Sequence, residues 1–321
     1  MKSSKIMNMN KHLNILFLGA AKKVSLAERF LDSARKLNIE LTLYSYELNH
    51  YVPMASVAEI IVGLKWDDRK ILEDLSEVIK KLSINVIIPC MDPATLVAAK
   101  LKERFPDVFI PVSSYSDCVT FFDKQKANDW FVENCIRVPE INNVLPFIAK
   151  PKGGSASKGI IIVTSETEKG FFYKKYDEAD YIIQRFIEGE EYTIDCYVSR
   201  RGHILSVVPR IRLEIVSGEV TRSLTIRDEK IIAVSKEILE KSKLIGPINI
   251  QCIRESGTGD LFVIEINPRF GGGVLCSIEA GANIPHLLLS DYYDKNLKPI
   301  ESWQGNLLMT RCYREFFYLC K

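Results

Sequence analysis

Between residues 13 and 112 the hydrophobic pattern switches back and forth between two periods. Nearly continuous apolar runs at 13–18, 39–46, 86–89 and 108–112 read as strands buried on both faces. Between them, 25–37 carries Leu26, Phe30, Ala34 and Leu37 on one stripe, and 69–82 carries Ile71, Leu75, Val78 and Leu82. Both read as amphipathic helices, with a further one near 94–101. Strands alternating with helices predict a parallel sheet with right-handed crossovers. Gly19 makes the first turn and Glu47 closes the second strand, as in a dinucleotide-binding sheet. The turn reads GAAKKV, however, and lacks the glycines that let a pyrophosphate approach, so a nicotinamide site is set aside. Asp92, at a strand's carboxyl end, is read as the cap of the next helix, with a substrate-side role as the alternative.

After residue 113 the pattern changes character. Residues 116–134 read as one helix, with Asp123 and Lys124 inside it. Strands at 147–150 and 160–163 bracket the stretch PKGGSASKG. A Gly/Ser-rich loop between two strands is a hairpin flap whose N–H groups can wrap phosphate oxygens, although a plain surface turn has the same composition. It is not a Walker A loop, because Ile160 and Ile161 follow Gly159 where Lys and Ser/Thr are required. Lys150, at the strand's end, offers a point charge to a phosphate.

A helix at 166–176 leads to a strand, 181–187, that breaks at Glu188-Gly189 and resumes at Tyr192. Exposed backbone donors at such a break, apolar walls and a nearby acid, Glu191, suit an adenine and its ribose; a solvated acidic turn is the plainer alternative. Strands at 203–216 and 221–226 carry Arg210, Arg212 and Arg222, which either clamp a carboxylate or phosphate or pair across strands with Glu214 and Glu219. A helix at 229–244 follows, then strands from 247 and 261, a mostly helical 280–293 and a closing strand at 307–317.

The stretch LFVIEINPRFGGG, residues 261–273, begins as an alternating strand and ends in three glycines. Alternation puts Glu265, Asn267 and Arg269 on one face with Val263, and Phe262, Ile264 and Ile266 on the other. Gln251 lies fourteen residues before Glu265 in the preceding strand, and ESGTGD between them reads as a hairpin loop. Pairing would bring the Gln251 amide oxygen beside Glu265 and Asn267. These are hard oxygen donors, suited to Mg²⁺ shared with a nucleotide's phosphates; a solvated edge strand and loop is the alternative.

Composition narrows the class without adding chemistry. The 321 residues, 47% hydrophobic and 26% charged, fit about two globular domains. A net charge of 43 − 41 = +2 gives no global basic surface, so nucleic acid and anionic membranes are not expected partners. Eight cysteines without a CxxC pair argue for a reducing, cytoplasmic setting and against a zinc site or disulfide framework. The four histidines have no metal spacing, and GxSxG is absent. No apolar run reaches membrane-spanning length, and the basic N-terminus reads as a tail before the first strand rather than a signal peptide.

The order of these signals is more specific than any one of them. A helix lysine, a strand lysine before a Gly/Ser flap, QRFI with an acid beyond it, and Gln…Glu-x-Asn-x-Arg resemble an ATP-grasp enzyme over nearly the whole chain. The likeness is greatest to short proteins related to the synthetase units of carbamoyl phosphate synthase, whose pattern has the same fourteen-residue step.

The resemblance implies an α/β and α+β chain. A Rossmann-like pre-ATP-grasp domain (1–113) would precede a flap subdomain (114–190) and a C-terminal antiparallel-sheet subdomain with the metal site (191–321). It implies that Lys124 and Lys150 contact nucleotide phosphates beneath a flap containing Gly154, Ser155, Ser157 and Gly159. Gln184 and the backbone at Arg185, Phe186 and Ile187 would meet adenine, and Glu191 the ribose. Gln251, Glu265 and Asn267 would hold one or two Mg²⁺ or Mn²⁺ ions, with Lys150 and Arg269 catalytic. Arg210, Arg212, Arg222, Gly271 and Gly272 are the candidates for the acceptor side.

The implied reaction is ATP-dependent ligation of a small carboxylate to an amine, or a thiol, through an acyl phosphate. A phosphotransferase that stops after phosphorylation and a non-catalytic ATP sensor are the alternatives. There is no glutaminase domain or second synthetase unit, and Gly271 to Gly273 replace bulkier polar residues, so a different acceptor is expected. Oligomeric state is open, a homodimer included.

Overall fold

A computed structural model describes residues 11–154, 159–216 and 218–319. Ser155 and Ser157 of the expected flap lie outside the described residues. The chain divides into two compact units. One contains the described residues up to Ile110, Pro285–Lys295 and those from Glu315 onward; the other contains Pro111–Ile284 and Asn296–Arg314.

The first unit begins with β1 (Lys11–Leu18), α1 (Val24–Leu37), β2 (Ile39–Glu47), β3 (Glu59–Val62), α2 (Ile71–Lys81), β4 (Val86–Pro89) and α3 (Asp92–Arg104). Its four strands run parallel in the order β3-β2-β1-β4. Leu16, Phe17 and Leu18 are wholly buried, as a parallel strand covered on both faces must be. Phe17 meets Phe30 of α1 edge-on, ring centroids 5.5 Å apart. The Glu47 carboxylate accepts the Ala20 N–H and the Ser45 hydroxyl, each at 2.7 Å, so it latches the first turn.

Three expectations change in this unit. β3 is a short strand with no fully buried residue and carries no periodic signal. Residues 108–112 form only a single bridge, Val86 to Phe109, rather than a ladder. Asp92 is the first helical residue of α3, and Met91 holds the capping position.

The second unit opens with α4 (Tyr115–Phe122) and α5 (Lys124–Glu133) where one helix was expected. Asp123 breaks them: its backbone is extended and its carboxylate accepts the N–H groups of Gln125 (2.9 Å) and Lys126 (3.1 Å). A short acidic side chain that caps the next turn competes with helix continuation. Lys124 therefore starts a helix instead of lying within one.

Strands β5 (Phe147–Pro151) and β6 (Ile161–Val163), helix α6 (Glu166–Lys175) and strand β7 (Tyr181–Arg185) follow. The strands form an antiparallel sheet in the order β6-β5-β7. Its own core joins Phe147, Ala149 and Ile183 to Phe172 of α6.

The rest comprises β8 (Gly189–Val198), β9 (Ile204–Val216), β10 (Glu219–Thr225), α7 (Glu229–Ser242), β11 (Gly246–Glu255), β12 (Leu261–Asn267), α8 (Val274–Glu279), α9 (Ile284–Tyr292) and β13 (Leu308–Thr310). Six strands pair antiparallel in the order β12-β11-β8-β9-β10-β13. One face packs Ile194, Cys196 and Ile250 against Phe121 and Phe131 of α4 and α5 and Ile238 of α7. The helical stretch expected at 280–293 is a single helix, α9, which begins after α8 has ended at Glu279, and the closing strand is three residues long. The described cysteines are free thiols. Among the described residues, no helix is long and apolar enough to cross a membrane.

Candidate active site

The sheet face opposite that core collects the polar side chains. The β11–β12 register sets Gln251 directly across from Glu265 and Asn249 across from Asn267. In the next strand Gln251 faces Thr193 and Asn249 faces Asp195, and Thr193 in turn faces Arg210. A polar row thus crosses four strands, with a second row beside it.

The simple alternation of β12 does not survive. The register steps from Gln251–Glu265 to Cys252–Val263, so a β-bulge absorbs Ile264. Val263 is therefore buried in the same cluster as Ile266 instead of sharing the Glu265 face.

The metal candidates are connected. Asn267 Nδ2 donates to Glu265 Oε1 at 2.9 Å, and Arg269 Nη2 donates to Asn267 Oδ1 at 3.2 Å. Arg212 Nη1 donates to Glu191 Oε2 at 2.9 Å and to Gln251 Oε1 at 3.3 Å. Among the described residues no cluster of three His, Cys, Asp or Glu side chains could hold an ion. Two amide oxygens and one carboxylate fit a hard divalent cation only where other ligands, such as phosphates, bring further negative charge.

Lys150 is buried to 6% exposure and lines a cavity with Val263 and Ile264 of β12. It is on β5, two residues along from Ile148, the register partner of Gln184 on β7, and donates to Gln184 Oε1 at 3.1 Å. Gln184 Nε2 is engaged by Asn128 Oδ1 (2.9 Å) and the Pro139 carbonyl (3.2 Å), so its amide is wholly occupied by the protein. Burial lowers the Lys150 pKa from 10.5 to about 8; Glu265 and Glu191 oppose the shift and Lys124 adds to it.

Lys124 donates its Nζ to the Gly154 carbonyl and its N–H to the Lys152 carbonyl, both at 2.9 Å, which ties α5 to the base of the flap. A small cavity separates Lys124, Asn128, Lys150 and Gln184 from Val263 and Ile264.

At the strand break, the Arg185 N–H donates to the Glu140 carbonyl (2.9 Å) and the Phe186 N–H to the Pro146 carbonyl (3.2 Å). Of the expected adenine donors, the buried Ile187 has no backbone N–H bond among the described residues. The Arg185 side chain binds Glu140 and Glu255, each at 2.5 Å, and lies 5.0 Å from the Phe262 ring centroid. It pins the break to the β11–β12 hairpin.

The three arginines do not converge into one clamp. Arg212 is engaged as above, and Arg222 is exposed. Glu214, opposite Arg222 in register, is taken by the Thr221 hydroxyl at 2.8 Å. Arg210 is buried and paired with Asp195, Nε to Oδ2 at 2.7 Å. Gly271 and Gly273 pass so close to this pair that side chains there would clash, while a Cβ on Gly272 would meet nothing within 4 Å. Arg311 donates to the Gly272 carbonyl at 2.6 Å. Sequence reasoning missed Asn128, Asp195, Asn249 and Arg311. Only Asp195 left a signal, a charge inside the apolar strand TIDCYV, where burial demands a partner.

Comparison with known proteins places this geometry among others. Residues 177–311 match the family model described as ATP-grasp in the biosynthetic pathway with Ter operon. Over 150 residues, 42% of this chain, the sequence is 27% identical to a D-alanine–D-alanine ligase of Petrotoga mobilis. The match spans about half, 49%, of that ligase's length.

Among solved structures, the biotin carboxylase domain of Hydrogenobacter thermophilus 2-oxoglutarate carboxylase, in complex with MgADP, ADP and bicarbonate, superposes with a TM-score of 0.73. It is 15% identical, and the match covers 92% of this chain and 73% of that one. N5-carboxyaminoimidazole synthetase from Staphylococcus aureus gives a TM-score of 0.70 at 18% identity, covering 94% of this chain and 84% of that one.

Proposed function

Because the chain belongs to the ATP-grasp superfamily, we propose that it is an ATP- and Mg²⁺-dependent ligase that activates a small carboxylate and joins it to an amine. The observation that carries the reading is Lys150, a buried cation that lines one cavity with Lys124 and feels the charges of Glu265 and Glu191. A buried ammonium with only a neutral amide as its hydrogen-bond partner among the described residues is costly unless an anion joins it. A polyphosphate between Lys150 and the Gln251–Glu265–Asn267 set meets that need, and Mg²⁺ or Mn²⁺ is the ion those oxygens fit.

In this reading the Ile187 N–H meets the adenine edge and Glu191 the ribose hydroxyls. Lys124 and Lys150 neutralise phosphate oxygens. Magnesium, when bound, offsets phosphate charge and polarises the terminal phosphoryl group. Arg269, hydrogen-bonded to Asn267, adds positive charge where the phosphoryl group transfers.

A carboxylate oxygen attacks the γ-phosphorus, the bond to the ADP oxygen breaks, and an acyl phosphate forms. An amine nitrogen then attacks the carbonyl carbon, phosphate leaves, and the nitrogen loses its proton. Exclusion of water by the closed flap protects the acyl phosphate.

The test is acid-dependent ADP release from MgATP across a panel of carboxylic acids, with hydroxylamine present to trap acyl phosphate as a hydroxamate. Hydroxamate formation supports the ligase. ADP release with a stable phosphorylated product and no hydroxamate indicates a phosphotransferase. Binding of MgATP without turnover on any acid indicates a sensor.

A further inference from the structure

The proposed chemistry leaves one buried charged cluster unused. Asp195 of β8 and Arg210 of β9 are both almost fully buried, at 1% and 2% exposure. Three further elements converge on them. Arg210 Nε and Nη2 donate to the two Asp195 oxygens at 2.7 and 3.4 Å, and Nη1 donates to Ser223 Oγ of β10 at 3.3 Å. Asn249 Nδ2 of β11 donates to Asp195 Oδ1 at 2.9 Å, and Ser277 Oγ of α8 donates to Asp195 Oδ2 at 2.7 Å.

A buried ion pair of this kind is seldom retained for stability alone, because apolar replacements of equal volume serve as well. Its placement suggests another use. The segment after Arg269 runs over it: a Cβ at Gly273 would fall 2.5 Å from Arg210 Nη1, and one at Gly271 would fall 2.8 Å from Asp195 Oδ1. Neither glycine has a left-handed backbone, so close approach and not conformation requires glycine at these positions. Beyond the pair, the Ser277 bond fixes the helix that follows, and Arg311 holds the Gly272 carbonyl from the side. Gly272 alone faces open space.

We propose that Asp195 and Arg210 are positioning residues for the acceptor half of the reaction: they hold Gly271–Gly273 flat across the sheet without taking part in nucleotide binding. What the glycine segment receives rests on the ligase reading; that the pair fixes the segment does not. The pair touches neither Lys150 nor the Gln251, Glu265 and Asn267 side chains through any recorded hydrogen bond, so nucleotide affinity is insulated from it.

The experiment compares the full-length protein with Arg210→Met, Arg210→Lys and the double variant Asp195→Leu/Arg210→Met. The readouts are amide hydrogen exchange over residues 268–276 and calorimetric affinity for MgADP. Arg210→Met is expected to speed exchange in that segment about tenfold, with exchange in β8 and β9 changed far less. Arg210→Lys, which keeps a donor to Asp195, is expected to stay within about threefold of the unaltered protein.

The double variant leaves no unpaired buried charge and so keeps the fold, yet the segment still exchanges fast because Ser277 and Asn249 lose their acceptor. MgADP affinity stays within about twofold throughout. Unchanged exchange at 268–276 in a folded double variant overturns the proposal. A tenfold or greater loss of MgADP affinity in that variant overturns it equally. Failure of the ligase reading would show instead as no acid-dependent ADP release by the unaltered protein, a measurement these readouts do not use.

Discussion

Protonation of Lys150 ties nucleotide affinity to pH. Its burial takes the pKa from 10.5 to about 8, a cost to the charged form of roughly 3 kcal/mol at about 1.36 kcal/mol per pKa unit. The folded protein therefore binds fewer protons than the unfolded chain between about pH 8 and 10.5, and its stability rises with pH across that window. Below about pH 8 the penalty is fully present. A bound polyphosphate favours the ammonium and raises the pKa again, so above pH 8 binding must draw a proton from solution. The expected result is an MgADP Kd that is nearly flat from pH 6.5 to about 7.5. Above about pH 8 it weakens with a slope approaching one decade per pH unit. Titration calorimetry in two buffers of different ionisation enthalpy should register uptake of close to one proton near pH 9. Arg stays charged throughout, so Lys150→Arg should remove both the slope and the uptake. A pH-independent Kd up to pH 9.5 without proton uptake by the unaltered protein would refute the assignment of Lys150 to the phosphates.

Lys150→Met should stabilise the nucleotide-free protein by up to about 3 kcal/mol less the lost Gln184 bond, read as a higher melting temperature, while weakening MgADP binding at least tenfold. Glu265→Gln keeps an oxygen but removes the charge; ADP release should fall at least a hundredfold while some nucleotide binding survives in calorimetry. Gly273→Ala and Gly271→Ala should lower acid-dependent ADP release strongly, whereas Gly272→Ala, with open space around its Cβ, should stay within about twofold in the same assay. Asp123→Ala removes the α5 cap and should cost about 1 kcal/mol in a denaturant titration.

Much of the fold was legible because burial imposes period. β1, β2, β4 and α1 are apolar in the pattern their neighbours require, and their limits fall within about two residues of those read from the sequence. The misses share a cause: one side chain or one extra residue overrides the period. Asp123 ends a helix whose hydrophobic stripe continues past it, and the bulge at Ile264 reverses the facing of Val263 without leaving a turn signal. β3 is too short and too exposed to carry a pattern.

Lys124, Lys150, Glu191, Gln251, Glu265 and Asn267 were singled out as candidates by order and spacing. Asn128 and Asn249, which bond Gln184 and Asp195, were not, because they are ordinary polar residues until the strands are paired. Arg210 was visible as a candidate but read as a ligand group. Only the register shows Asp195 close enough to claim it.

The trio proposed to hold the ion carries a single formal negative charge, that of Glu265, and both of its amide oxygens already accept bonds from arginines. Such a trio has little pull on a dication from bulk water. On the proposed reading the cation travels as a passenger of the nucleotide and departs with it. Chelators should leave the resting protein's melting curve unmoved, yet abolish the thermal shift that ADP produces.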